Sequence, residues 1–185
     1  MKPSILQLER FAFLGISVDP VVVPQYTKNA DSAIGFDFDG VKLGEKVDIF
    51  PPKNEDDRWG VTLTISIPNV EGEGKICPYT IEVSAIGFFH YTRKDDPDLE
   101  KRNMVVVNGL AVIYATLREL VAQITARSIH GELLLPTVNF LDKLQRPDDS
   151  AHNQLAAAQT VSEDKPKKPR KRITKSAKAP VNKFV

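Results

Sequence analysis

From Trp59 to Ile67 the chain alternates strictly. Trp59, Val61, Leu63, Ile65 and Ile67 point one way, and Gly60, Thr62, Thr64 and Ser66 the other. A period of two with one polar face is the pattern of a half-buried strand. Three other stretches carry weaker forms of it. Ile5 to Val18 places Leu6, Leu8, Phe11 and Phe13 in near alternation, with a slip at Glu9-Arg10 that a bulge absorbs. Ala33 to Ile49 opens with Ile34, Phe36 and Phe38 between Gly35, Asp37 and Asp39, and Cys77 to Thr92 sets Tyr79, Ile81, Val83 and Ala85 in one phase. Asp19-Pro20, Pro51-Pro52 with Asn54 to Asp57, and Gly72 with Gly74 separate these segments. Short turns between consecutive strands favour an antiparallel meander.

The period then changes. Leu110, Ile113, Tyr114, Leu117, Leu120, Val121 and Ile124 recur every three or four residues, with Arg118, Glu119 and Gln123 opposite, which predicts an amphipathic helix. A second row, Val107, Ala111 and Ala115, offers small groups that let another helix approach closely; with Tyr114 they form the expected subunit interface. From Met104 to the stop at His130-Gly131 the helix would run about 39 Å at 1.5 Å per residue, longer than one such domain needs. The charged stretch Arg93 to Asn103 reads as the connection from sheet to helix.

Beyond the stop, Leu133, Leu134 and Leu135 form a bare apolar run closed by Pro136. Asn139 then has the character of a helix N-cap, and Phe140, Leu141 and Leu144 give a short second helix an apolar face. This region resembles the SecB family of export chaperones. The resemblance is carried by Tyr114-Ala-Thr-Leu-Arg-Glu, Ala126-Arg, and above all Gly131-Glu-Leu-Leu-Leu-Pro-Thr-Val-Asn-Phe140. Weaker similarity lies in Leu6-Gln-Leu-Glu-Arg, Gly15-Ile-Ser-Val-Asp-Pro20, Ile81-Glu-Val and Gly87-Phe-Phe, so that it spans roughly residues 5 to 144. Four strands followed by one long and one short helix make an α+β domain. The resemblance implies a SecB-like fold that assembles as a dimer of dimers.

Composition separates body from tail. Residues 165 to 185 hold seven Lys and two Arg and no acid, leaving a net −8 on the rest of the 185-residue chain. With its Pro and Lys and few large apolar groups, 148–185 is expected to be a disordered basic tail after a domain spanning 1–147. Such a tail suits a flexible solvated extension or an anionic partner: nucleic acid, the ribosome or anionic lipid. One cysteine, Cys77, excludes an internal disulfide and fits a reducing cytoplasm. No unbroken apolar run of about 18 residues is present and the N-terminus lacks a signal-type apolar core, so no membrane segment is expected.

Catalytic chemistry is sparse. His90, His130 and His152 lack metal-ligand spacing, Cys77 has no partner base in view, and acidic pairs such as Asp56-Asp57 and Asp95-Asp96 sit in charged loops. Neither an enzyme nor a cofactor or metal site is expected. The resemblance implies instead a holdase that keeps unfolded polypeptides translocation-competent for export, in grooves between helix and sheet. The groove candidates are Phe36, Phe38, Trp59, Phe140, Leu141 and Leu144, with Leu133, Leu134 and Leu135 at the edge; Phe36 and Leu141 suit a monomer core equally well. In that family an acidic sheet surface docks the motor SecA. Asp19 and Glu82 fall where carboxylates stand there, while Gly15 replaces another and the tail is basic where the family's is acidic. Dedicated service to one client, such as an antitoxin, and a nucleic-acid-binding module acting through the tail are the alternatives.

Overall fold

The computed structural model describes residues 3–22, 33, 35–52, 58–70, 72 and 74–145. Strands β1 (Leu6–Pro20), β2 (Gly44–Phe50), β3 (Arg58–Ile67) and β4 (Tyr79–Tyr91) precede one long helix, α1 (Asp98–Thr125), and a single 3-10 turn at Leu141–Lys143. All strand pairs are antiparallel, in the order β1-β4-β3-β2. The meander therefore holds for β2 to β4 only. β1 and β2 occupy opposite edges, because the chain between Pro20 and Gly44 is far longer than a hairpin loop of two to five residues.

The β1 register slips between Leu8 and Arg10, where the sequence pattern broke, and again between Phe13 and Gly15. In β3 and β4 the odd-numbered residues face α1. Val61, Leu63, Ile65, Ile67, Ile81, Val83 and Ala85 are all buried there. Phe89 brings the helix close. A Cβ on Gly87 would lie 2.7 Å from its ring and one on Gly109 of α1 3.2 Å, so two glycines make the slot that this ring fills. At the β3–β4 connection Asn69 takes a positive φ of 49° and clamps the returning chain. Its Nδ2 donates to the Cys77 and Tyr79 carbonyls at 3.0 and 2.9 Å, and its Oδ1 accepts from the Cys77 amide at 2.8 Å.

Several predicted boundaries move. The second strand begins at Gly44, not Ala33. Phe36 and Phe38 lie in two turns, closed by Phe36 N–H to Ala33 O at 3.1 Å and Val41 N–H to Phe38 O at 3.0 Å, with Gly35 and Gly40 at positive φ. Both rings pack inward, edge to face at 5.1 Å, so a strand-like spacing arises without a strand. α1 begins six residues before Met104, where Pro97 needs no amide partner and Asp98 and Glu100 face the positive end of the helix dipole. It ends at Thr125, whose buried hydroxyl donates to the Val121 carbonyl at 2.7 Å and accepts from the Leu133 amide at 2.8 Å. The second helix shrinks to one turn. Asn139 Oδ1 does accept from the Leu141 amide at 3.1 Å, but Leu144 is already extended, with ψ 129°.

α1 is more apolar than its packed face requires. An 18-residue window reaches a mean hydropathy of 1.6, enough by length and composition to cross a membrane, with 44% of the window buried. No unbroken apolar run marks the segment in the sequence, because Asn108, Gly109, Thr116 and Arg118 interrupt a helix that is apolar on average. Ten of its residues, from Val105 to Thr125, are buried, as in the core helix of a folded domain. The expected turn at 25–32, the loop at 54–57 and the tail at 148–185, with His152, lie outside the described residues.

Candidate functional site

One helix, about 10–12 Å across, cannot roof four strands spaced about 4.8 Å apart. α1 lies over β4 and packs on β3 and β1 to either side, but it covers edge strand β1 only in part: Leu6, Phe11 and Val18 are half-buried against the core. The β1 register sets Leu8, Phe13 and Ile16 opposite Phe89, Ala85 and Val83, on the side that faces the helix. Yet Leu8 and Phe13 are each 43% exposed and Ile16 48%. Leu14, extruded at the second slip, is exposed as well.

Between this strip and α1 runs a groove of about 500 Å³, with Leu6 and Leu8 on one wall, Ala111, Val112 and Ala115 on the other, and Phe89 as its floor. Val112, at 41%, is the most exposed large apolar side chain of the helix. Two further hollows continue the helix surface. One of about 360 Å³ gathers Met104, Val107, Leu141 and Leu144; the other, of about 540 Å³, lies by Leu120, Ile124 and Arg127. The uncovered surface is thus apolar along most of α1.

The residues expected to form a groove divide between core and surface. Trp59, Leu133, Leu135 and Phe140 are buried, and Phe36 and Phe38 are half-buried against the core. Leu134, Leu141 and Leu144 are exposed. Of the expected interface row, Ala111 and Ala115 are exposed and Val107 half-buried. Tyr114 is buried. Its ring meets Phe140 edge-on at 5.8 Å and its hydroxyl donates to the Pro136 carbonyl, so it joins two pieces of one chain. Burial pushes the Tyr114 phenol up to about 12. Arg118 also turns inward from the polar side: its Nε donates to the Leu135 carbonyl at 2.7 Å. The walls at Leu8 and Val112 were not among the residues expected to form a groove; on the β1 side the available signal was the run Phe11 to Leu14, which puts large apolar side chains in both phases of the strand.

The opposite face of the sheet carries both signs of charge. Asp19, Glu82, Asp48 and Glu9 share it with Arg10, Lys46 and Arg58, around Ser17, Thr64, Ser66 and Ser84. Asp19 and Glu82 are both exposed, two residues apart in the β1–β4 register, and Asp19 accepts from the Ser17 hydroxyl at 2.7 Å. Arg58 pairs with Glu9 across β4 at 2.9 Å.

Cys77 is buried, and desolvation pushes its thiol up to about 11, which suppresses the nucleophilic thiolate. Among the described residues no group of three or more His, Cys, Asp or Glu is placed to hold a metal ion. What this geometry offers is apolar area.

No protein-family model matches the chain, and no curated protein matches it. Among solved structures it is similar to the SecB-like chaperone Rv1957 of Mycobacterium tuberculosis, in complex with a ChAD peptide from the Rv1956 HigA1 antitoxin. That match has a TM-score of 0.47 and 15% identity, and covers 72% of this chain and 88% of that one. The structural match is to a SecB-like chaperone. A protein of unknown function from Streptococcus agalactiae is also similar, with a TM-score of 0.40, 11% identity and coverage of 71% of this chain and 97% of that one.

Proposed function

We propose that the chain is an ATP-independent holdase that binds unfolded polypeptides and keeps them translocation-competent for export. The observation that supports this reading is the exposed apolar surface between β1 and α1, over which no element of the described residues packs. Apolar burial depends on area more than on sequence, so such a surface accepts many extended clients. At roughly 25 cal/mol per Å² a long client gains affinity by summing weak contacts, and repeated sites in an oligomer add avidity. Binding the unfolded state in preference to the native one delays folding by mass action without nucleotide or catalysis. In this reading subunits pair through sheet and helix, with Val107, Ala111 and Ala115 at the contact, into a cytoplasmic dimer of dimers. The remaining apolar surface receives clients, and Asp19 and Glu82 take part in docking SecA.

The basic residues elsewhere on the sheet face of Asp19 and Glu82, Arg10, Lys46 and Arg58, and the glycine at position 15 favour a second reading, dedicated service to a single client such as an antitoxin, because they leave fewer uncompensated carboxylates for an acidic docking face. One set of measurements separates the two. Size in solution is expected to show an oligomer, and aggregation assays are expected to show protection of several unrelated unfolded clients. Protection of one client alone selects the dedicated role, and a monomer that protects none rejects both.

The basic tail supports a separate activity. Deleting residues 165–185, which carry a net +9, is expected to abolish any salt-sensitive binding to nucleic acid or anionic vesicles and to leave client protection intact. Equal nucleic-acid binding by the full and truncated chains rules out that role for the tail.

A further inference from the structure

The stretch joining α1 to the 3-10 turn closes over the core without the backbone ladder that holds the sheet. From 132 to 139 no backbone-to-backbone hydrogen bond is present among the described residues. Side chains hold it instead. The Tyr79 hydroxyl donates to the Gly131 carbonyl at 2.7 Å, the Leu133 amide to Thr125 Oγ1 at 2.8 Å, and Arg118 Nε to the Leu135 carbonyl at 2.7 Å. The Tyr114 hydroxyl holds the Pro136 carbonyl. At the end of the turn Lys143 pairs with Glu45 of β2, and past it Asn103 grips both backbone groups of Gln145 at 2.9 and 3.0 Å. Leu133, Leu135 and Phe140 fill the core from this strap, while Glu132, Leu134 and Leu141 face outward.

We propose that residues 132–144 form a lid that lifts from α1 as a unit and uncovers the apolar surface beneath Leu133, Leu135 and Phe140 for an extended client. The proposal rests on the holdase reading above. Its physical basis is the kind of bond that must break. A sheet strand leaves only when a cooperative ladder fails, whereas these clamps are separate side-chain contacts, and segments with few backbone hydrogen bonds open locally at low cost. The ends suit a hinge: Gly131, at φ 79°, on one side and the Asn103–Gln145 clasp on the other. A client that occupies the uncovered surface replaces the apolar contacts the lid gives up. Its apparent affinity is reduced by the fraction of time the lid is closed, so weakening the clamps strengthens binding. This also places the three residues at a client site in the open state, although they are buried when the lid is shut.

The test is hydrogen exchange on the full chain, with Tyr114→Phe and Arg118→Met combined. These changes remove two clamping donors and keep the ring and the aliphatic stem. Losing two such bonds is expected to raise exchange of the Leu133 amide, the hydrogen-bonded N–H of the strap, about tenfold or more, with β3 and β4 unchanged. Binding of reduced, carboxymethylated α-lactalbumin, a permanently unfolded probe, is expected to tighten by a similar factor. Lys143→Met, at the far end of the strap, gives the same direction if the double variant fails to fold. Unchanged exchange, or an equal rise throughout β3 and β4, overturns the lid. Faster strap exchange with unchanged probe affinity also overturns it and leaves the holdase reading standing. Absence of probe binding by both proteins overturns the two together.

Discussion

Aspartate at both Leu8 and Val112 is expected to abolish holding of unfolded clients while the domain stays folded. The two side chains flank the groove from β1 and α1 and are 43% and 41% exposed. A client that covers both gains about 1 kcal/mol or more from each, since full burial of such a side chain is worth roughly 1.5–3 kcal/mol. Two carboxylates in their place remove that gain and must also be desolvated against an apolar chain. The combined loss is expected to weaken client binding at least 100-fold, read by light scattering of an aggregating client. Folding suffers less, because both positions already reach water, and the melting temperature is expected to fall by only a few degrees. Full protection by the double variant would remove the groove from the mechanism. Protection retained with loss of the oligomer would assign the groove to the subunit contact.

A second contrast lies one residue apart. Phe140→Asp is expected to cost about 4 kcal/mol or more, through the cavity left by the ring and the carboxylate stranded in it. Leu141→Asp is expected to stay within about 0.5 kcal/mol of the parent, as surface changes do. Phe140 is 3% exposed and packs edge-on against Tyr114, whereas Leu141 is 56% exposed beside the hollow at Met104 and Val107. In thermal denaturation the first should melt more than about 10 °C below the parent and the second with it. Indistinguishable melting curves would show that Phe140 does not sit in the core. Client holding then reads Leu141→Asp cleanly, since stability no longer confounds it.

Legibility along the chain followed how local the physical cause was. In β3 and β4 alternation alone marked the buried face, because each residue's side of a strand follows from its neighbours. The slip at Glu9-Arg10 was visible for the same reason and appears as a register shift. At Phe36 and Phe38 the same period misled: two glycine-mediated turns aim alternate rings inward as a strand does. The start of α1 was missed because charged residues at a helix N-terminus, here Asp98 and Glu100, look like a charged loop until Pro97 is seen to open the helix. Within the groove, Ala111 and Ala115 were legible as an apolar row on the helix. Their opposite wall at Leu8 was not, since it comes from a strand about a hundred residues earlier.

By itself the sequence determined strands β3 and β4 with their buried phases, the slip in β1, the amphipathic helix, the acidic body with its basic tail, and the surplus of apolar side chains. These are set by neighbours within a few residues or by simple counting. Only the tertiary structure decided which surplus residues are covered. That choice depends on β1 pairing with β4 at the sheet edge, on one helix being narrower than four strands, and on a strap tied down by Tyr114, Arg118 and Thr125. Whether a leucine lies in the core or stays open to a partner is settled by what packs over it, and that comes from distant parts of the chain.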